Sequence, residues 1–303
     1  MKTAFLFTGQ GAQFVGMGRD LFENIPACRE LYERAGRVAG IDLARISFEG
    51  PEEELTRTDV CQPAILVHSA AILAALPARG VTLAPDCAAG LSLGEYTALY
   101  AAGVIGFEEA VHLVRQRGRF MQAAANAIPS GMASVMKMEL PAIEAVLKTI
   151  AGTVAVANLN CPGQVVISGE KGALERACAA IAAARGRVMP LKVAGAFHSA
   201  VMTPAREQLA IALAGVKFNV PRIPVCQNVD GALHTDPERI RANILEQLVA
   251  PVRWEACVRT MAAAGVSAFY DIGPKDVLAG LNKRIDPALT TVSYDTLDSI
   301  RGA

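Results

Sequence analysis

The chain has no surplus of either charge. Its 29 Lys and Arg balance 29 Asp and Glu, and neither sign forms a long run. That speaks against a nucleic-acid surface and leaves room only for a local patch facing an acidic partner. No apolar run reaches the roughly 18 residues of a membrane span, so no membrane is expected as a partner. Met1–Thr8 has too short an apolar core for a signal peptide and reads as a first strand. The seven cysteines include no Cys-x-x-Cys pair. With no secretion signal, they are expected as buried small hydrophobes in a reducing cytoplasm, which makes the expected location cytoplasmic. Repeats, linkers and low-complexity tracts are missing as well. What is present is 52% hydrophobic and 19% charged residues over 303 positions. This is the composition of a compact protein of one large domain or two modest ones.

Nucleotide loops are also lacking. Gly9-Gln10-Gly11-Ala12-Gln13 follows the first strand, but Phe14 breaks Gly-x-Gly-x-x-Gly and Met17 after Gly16 breaks the phosphate-loop pattern. A loop of exposed backbone amides remains, able to face a ligand oxygen.

Gly90-Leu91-Ser92-Leu93-Gly94 fits the Gly-x-Ser-x-Gly pattern of a nucleophile elbow, a strand-to-helix turn that presents a serine hydroxyl. Small residues two positions either side of the serine allow the flanking backbones to meet. The strand before it, Asp86–Gly90, is weak by propensity. The helix after it, expected over Glu95–Ala102 and stopped by Gly103, would point free N–H groups at the site. In the helix expected over Phe107–Ala125, Ala110, Val114, Arg117 and Met121 are spaced four, three and four apart and share a face. Arg115 and Arg119 fall on another face with His112 and Gln116, where solvation accounts for them. Arg117 on the apolar stripe cannot shed its proton and needs an acceptor partner. A structural ion pair and a clamp for a substrate carboxylate both satisfy that need.

Gln62–Leu76, opened by Pro63, reads as a buried helix, and His68 within it as a core histidine. From Gly131 to Val193 the order is strand, helix, strand, strand, helix, strand, with Asn158–Gly163 as the link between the two middle strands. This is the ferredoxin-like split unit, an insert of about 65–70 residues. The resulting division is a discontinuous core of residues 1–126 and 197–303 around a subdomain of residues 127–196. His198, in Gly195-Ala196-Phe197-His198-Ser199, is the one histidine of four in a loop after a strand. Function concentrates on such loops. His112 and His234 read as surface residues. The helix that follows is expected to be capped by Thr203 and opened by Pro204. Strand Pro224–Val229, helices Pro237–Leu248 and Pro251–Ala264, strand Ser267–Ile272 and helix Lys275–Arg284 complete the alternation.

The Gln10 loop, Gly90–Glu95, Val114–Gly118, Ala157–Asn160, Gln164–Gly169, Gly195–Ser199 and Gln247 ahead of Pro251-Val252 occur in one order. Together they resemble the malonyl-CoA:acyl carrier protein transacylases, an acyltransferase family, over nearly the whole chain. The resemblance implies an α/β-hydrolase-like core with a parallel sheet, carrying the ferredoxin-like insert. It implies Ser92 as nucleophile and His198 as base, the imidazole being oriented by a backbone carbonyl near Gln247. The Gln10 and Leu93 N–H groups would form the oxyanion hole, with Arg117, Gln247, Leu91 and Asn160 binding substrate. Malonyl-CoA and acyl carrier protein are the implied partners, in fatty acid synthesis by a monomer. No metal and no protein-bound cofactor is implied, phosphopantetheine being carried by the carrier protein. Many members of the family have histidine where this chain has Leu91. That residue is not the base, so the chemistry is expected to survive the change. A serine thioesterase would share Ser92 and His198 without needing Arg117. A polyketide acyltransferase would share every motif, and a non-catalytic scaffold would have no reason to keep the pair.

Overall fold

A computed structural model describes residues 2–300. Ten strands, β1 (Lys2–Phe7), β2 (Cys87–Gly90), β3 (Ser130–Met136), β4 (Val154–Cys161), β5 (Gln164–Glu170), β6 (Arg187–Pro190), β7 (Val225–Cys226), β8 (Leu233–His234), β9 (Val266–Ile272) and β10 (Thr290–Tyr294), form two sheets. The larger has the order β10-β9-β1-β2-β7-β8 and is parallel except for the β7–β8 pair. Its central strand buries both faces. Phe5 and Phe7 enter one core with the helices Pro26–Ala39, Thr58–Ala78, Phe107–Ala127 and Thr203–Ala214, while Ala4 and Leu6 enter another with Trp254–Ala263 and Val277–Ile285. Alternation along the strand produces both layers. Each large side chain so buried contributes roughly 1.5–3 kcal/mol. The same burial carries β2, whose Cys-Ala-Ala-Gly sequence has little strand preference of its own.

The smaller sheet, β4-β5-β3-β6, is antiparallel throughout. With helices Leu140–Leu147 and Lys171–Ala183 it closes a separate core around Val135, Ile143, Ile167 and Ile181. Numbered within the insert, the strands lie in the order 2-3-1-4, the ferredoxin-like arrangement that the chain order implied. The expected Asn158–Gly163 link is corrected: β4 continues to Cys161, with register shifts at Val156/Asn158 and Leu159/Cys161. Those bulges free backbone groups for the larger lobe. Val252 N–H donates to Ala157 O at 2.8 Å, and Leu159 N–H donates to Val252 O at 2.9 Å. Val252 is therefore extended, and the helix expected from Pro251 starts at Trp254.

Other expectations also shift. Thr203 bonds the carbonyl of Ala200 instead of capping its helix. The strand expected over Pro224–Val229 shortens to β7, because Gln227 and Asn228 turn away to buried partners. β10, an edge strand, was not foreseen.

The helix Thr58–Ala78 is, among the described residues, long and apolar enough to cross a bilayer, with 83% of its apolar window buried inside the fold. Asp59, Gln62 and His68 interrupt its apolar sequence, so no uninterrupted apolar run of that length occurs in it, and it is the buried helix expected around Gln62–Leu76. Pro63 lies within this helix and not at its start. Having no N–H, it leaves the carbonyl of Asp59 without its helical partner. The Arg115 guanidinium supplies one, bonding both that carbonyl and Asp59 Oδ2, the latter at 2.6 Å. Arg115 is thus a structural residue, not a solvated one; Arg119 and His112 are exposed as expected.

Opposite, Gly118 lets the helix Phe107–Ala127 approach closely. A Cβ there would lie 2.6 Å from the carbonyl oxygen of Thr58. Gly118→Ala is expected to force the two helices apart at a cost of about 1–3 kcal/mol, the usual penalty for overpacking. Chemical denaturation measures this, and an unchanged midpoint at constant m-value would contradict the close packing.

Candidate active site

The elbow is built by backbone contact. A Cβ on Gly90 would fall 1.9 Å from the carbonyl carbon of Gly94, and one on Gly94 would fall 2.0 Å from Phe7 O. No other residue fits at either position. Ser92 itself adopts φ +53°, a left-handed conformation that costs a residue with a side chain on the order of 1–3 kcal/mol. Asn228 holds it there. Its Oδ1 accepts from Ser92 N–H at 2.6 Å, and its Nδ2 donates to Gly90 O at 2.8 Å.

His198 comes from the loop after β6 and also has positive φ, +57°. Its Nε2 lies 2.8 Å from Ser92 Oγ, and its Nδ1 lies 2.8 Å from the backbone carbonyl of Gln247. A carbonyl only accepts, so Nδ1 carries the proton and Nε2 offers its lone pair to Ser92. Burial first, then the Arg117 charge, push the imidazole down to about 4, against the Gln247 bond. The ring is neutral at neutral pH, as a base must be.

Arg117 is 1% exposed. It donates to Gln62 Oε1 at 2.8 Å, Gln247 Oε1 at 3.0 Å and Ser92 Oγ at 3.1 Å, and stacks over Tyr96 with 5.5 Å to the ring centre. These partners are neutral, so the structural ion pair is not what satisfies it. Three of five guanidinium donors are engaged, leaving two.

Gln10, Leu91, Ser92, Arg117, Asn160 and His198 line one cavity of about 240 Å³. Asn160 occupies the second β4 bulge, and its Oδ1 is buried without a partner. The N–H groups of Gln10 and Leu93 find no acceptor among the described residues, and Leu93 precedes the helix Gly94–Ala101, whose N-terminal dipole favours negative charge there. Gln247 is fully buried beneath the cavity and does not line it, acting instead on Arg117, Ser92 and His198.

Gln62, Glu95, Gln227 and Asn228 were missed. Gln62 carried the same signal as Arg117, a polar side chain in an apolar helix. Glu95 was visible in the motif but had no visible partner. His68 is a core residue, bonding Asp295 O at 3.0 Å and pushed down to about 4 by burial. His234 is not a free surface residue: it pairs with Asp230 Oδ2 at 2.9 Å in β8.

Residues 4–287 match the acyl transferase domain family. A malonyl CoA-acyl carrier protein transacylase of Bacillus subtilis (strain 168) is 41% identical over 99% of this chain and 95% of its own. Its namesake from Escherichia coli (strain K12) is 43% identical over 99% and 98%. A malonyl-transacylase solved in complex with a type II PKS acyl-carrier protein superposes with a TM-score of 0.94 at 40% identity, covering 99% of this chain and 98% of that one. A serine elbow, its histidine and a buried arginine in one cavity, on a chain alike from end to end, leave one conclusion: this chain belongs to the malonyl CoA-acyl carrier protein transacylase family.

Proposed function

We propose that the protein moves the malonyl group of malonyl-CoA to the phosphopantetheine thiol of an acyl carrier protein, for fatty acid synthesis. The observation that carries this is Arg117, buried with neutral partners beside the Ser92–His198 pair. Ser92 Oγ attacks the thioester carbonyl as its proton passes to His198 Nε2. The N–H groups of Gln10 and Leu93 hold the oxyanion, each such donor typically contributing about 2.7–4 kcal/mol. Collapse expels the CoA thiolate, which takes the proton from His198, and a malonyl ester remains on Ser92. The carrier thiol then gives its proton to His198 and attacks that ester. Ser92 leaves as the alkoxide and is reprotonated. Arg117 grips the distal carboxylate through both halves. His198 carries every proton transfer and backbone N–H groups hold the oxyanion, so the scheme calls on no metal or cofactor of the protein's own.

A wider groove of about 870 Å³ meets the cavity at Gln10 and Val193 and carries charges of both signs, Glu52 and Glu53 with Arg57 and Lys192, giving a pantetheine arm an approach. Cytoplasmic location, a monomeric state and the division into 1–126 with 197–303 and 127–196 belong to the same reading. A second reading, service to a type II polyketide carrier, is favoured by the likeness to the transacylase solved with one. It uses the same chemistry. A thioesterase is disfavoured because it gives Arg117 nothing to do.

The primary test is intact mass after incubation with malonyl-CoA, with and without carrier protein. The wild type should gain the malonyl mass and pass it on to the carrier, and Ser92→Ala should gain nothing. Uptake by Ser92→Ala overturns the scheme.

Arg117→Ala removes one partner of a buried charge pair, a loss on the order of 2–5 kcal/mol. Malonyl kcat/KM should fall roughly thirty- to several-thousandfold, with acetyl transfer falling far less. Exposed Arg119→Ala is the control. Equal losses for both esters in a folded variant would make Arg117 structural.

The His198 ring should titrate at about pH 4, against an ordinary 6.5. Because the folded value is the lower one, this group's contribution to stability is complete above pH 6.5 and is lost as pH falls towards 4. Ring-proton NMR, assigned with His198→Gln, measures the midpoint; a value at or above 6.5 refutes the burial argument.

A further inference from the structure

The site holds a buried carboxyl group that no step above uses. Glu95, in the helix Gly94–Ala101, has 0% exposure. Its Oε1 accepts from Gln227 Nε2 at 2.8 Å; its Oε2 accepts from Asn228 N–H and Gln247 Nε2, each at 2.9 Å. Every partner is a donor. Burial pushes this carboxyl up to about 7, and the three hydrogen bonds and the nearby guanidinium favour its anion against that burial.

Gln247 stands between Glu95 and Arg117. Its amide nitrogen donates to Glu95 Oε2 at 2.9 Å and to the Ser92 carbonyl at 3.0 Å, and its amide oxygen accepts from Arg117 Nη2 at 3.0 Å. An amide has a donor end and an acceptor end, so whatever fixes the NH2 fixes the direction of the C=O. With no anion at position 95, the Ser92 carbonyl still holds the Gln247 NH2 but the charged acceptor is gone, and the amide can turn to present N–H groups to a guanidinium that can only donate. A direct Glu–Arg pair, by contrast, would occupy the donors a substrate carboxylate needs. One intervening amide keeps the carboxyl near the guanidinium while taking a single Nη2 hydrogen bond, and Nε is left without a partner.

We propose that Glu95 is a positioning residue for acyl selectivity: through the Gln247 amide it holds Arg117 charge-compensated but with donors free for a carboxylate. This rests on the malonyl reading given above. Glu95 also touches Asn228, which fixes the Ser92 elbow, and that second route would affect every acyl group alike.

The test compares malonyl- and acetyl-CoA loading of Ser92 by intact mass in the full-length chain. Wild type is run in parallel with Glu95→Gln, Gln247→Ala and the double variant. Glu95→Gln keeps the shape and removes the charge. Malonyl kcat/KM should fall roughly ten- to a hundredfold and acetyl less than about threefold. The double variant should be no slower than Gln247→Ala alone, because both act through one amide. Equal losses for the two esters, or losses that add in the double variant, overturn the positioning role while wild-type malonyl loading leaves the reaction itself standing. Failure of the wild type to load malonyl takes both down. If Glu95→Gln does not fold, Gln247→Ala carries the test, since it cuts the relay and keeps the carbonyl that orients His198. It should then depress malonyl loading more than acetyl, and an equal depression overturns the proposal.

Discussion

A guanidinium cannot be buried as a neutral side chain can, because it does not lose its proton in a protein. Arg117 is nonetheless almost wholly enclosed, and much of the catalytic lobe follows from making that tolerable. Gly118 brings the helix Phe107–Ala127 against Thr58–Ala78, which puts Gln62 within reach. Pro63 on that second helix opens a carbonyl that Arg115 closes. Gln247 faces Arg117 with its oxygen while Glu95 and the Ser92 carbonyl hold its nitrogen. The amide of Gln247 thus stands between the carboxyl and the guanidinium and takes one Nη2 donor.

The same economy of contacts governs the reacting pair. Ser92 and His198 are two of only five non-glycine residues with positive φ among those described, and both are held by neighbours that over-determine them. Asn228 fixes the serine from below, while the Gln247 carbonyl fixes the tautomer of the histidine. Gln247 therefore serves His198 with its backbone and Arg117 with its side chain. The imidazole and the guanidinium are thus both oriented by one residue.

The insert meets this machinery along β4. The bulges of β4 turn Ala157 and Leu159 towards Val252, and the second bulge places Asn160 on the cavity wall. A regular ladder would have kept these groups within the small sheet. Irregularity in β4 is what makes the two lobes line one pocket.

Local periodicity and short spacing determined a good deal of this protein. Small residues around Ser92, the apolar stripe that carries Arg117, the six elements of the insert and a histidine outside any stripe were all legible, since each depends on which face or turn a residue occupies. The α/β layering was legible for the same reason. Partners were not. Asn228 under Ser92, Glu95 behind Gln247 and Arg115 over Asp59 are pairings with no period, and the Glu95–Gln227 and Arg117–Gln247 bonds join residues 132 and 130 positions apart. A sequence shows that a buried polar group needs a partner. Only the folded chain decides which one it gets, because the choice depends on which distant backbones the close glycine contacts and buried helices bring together.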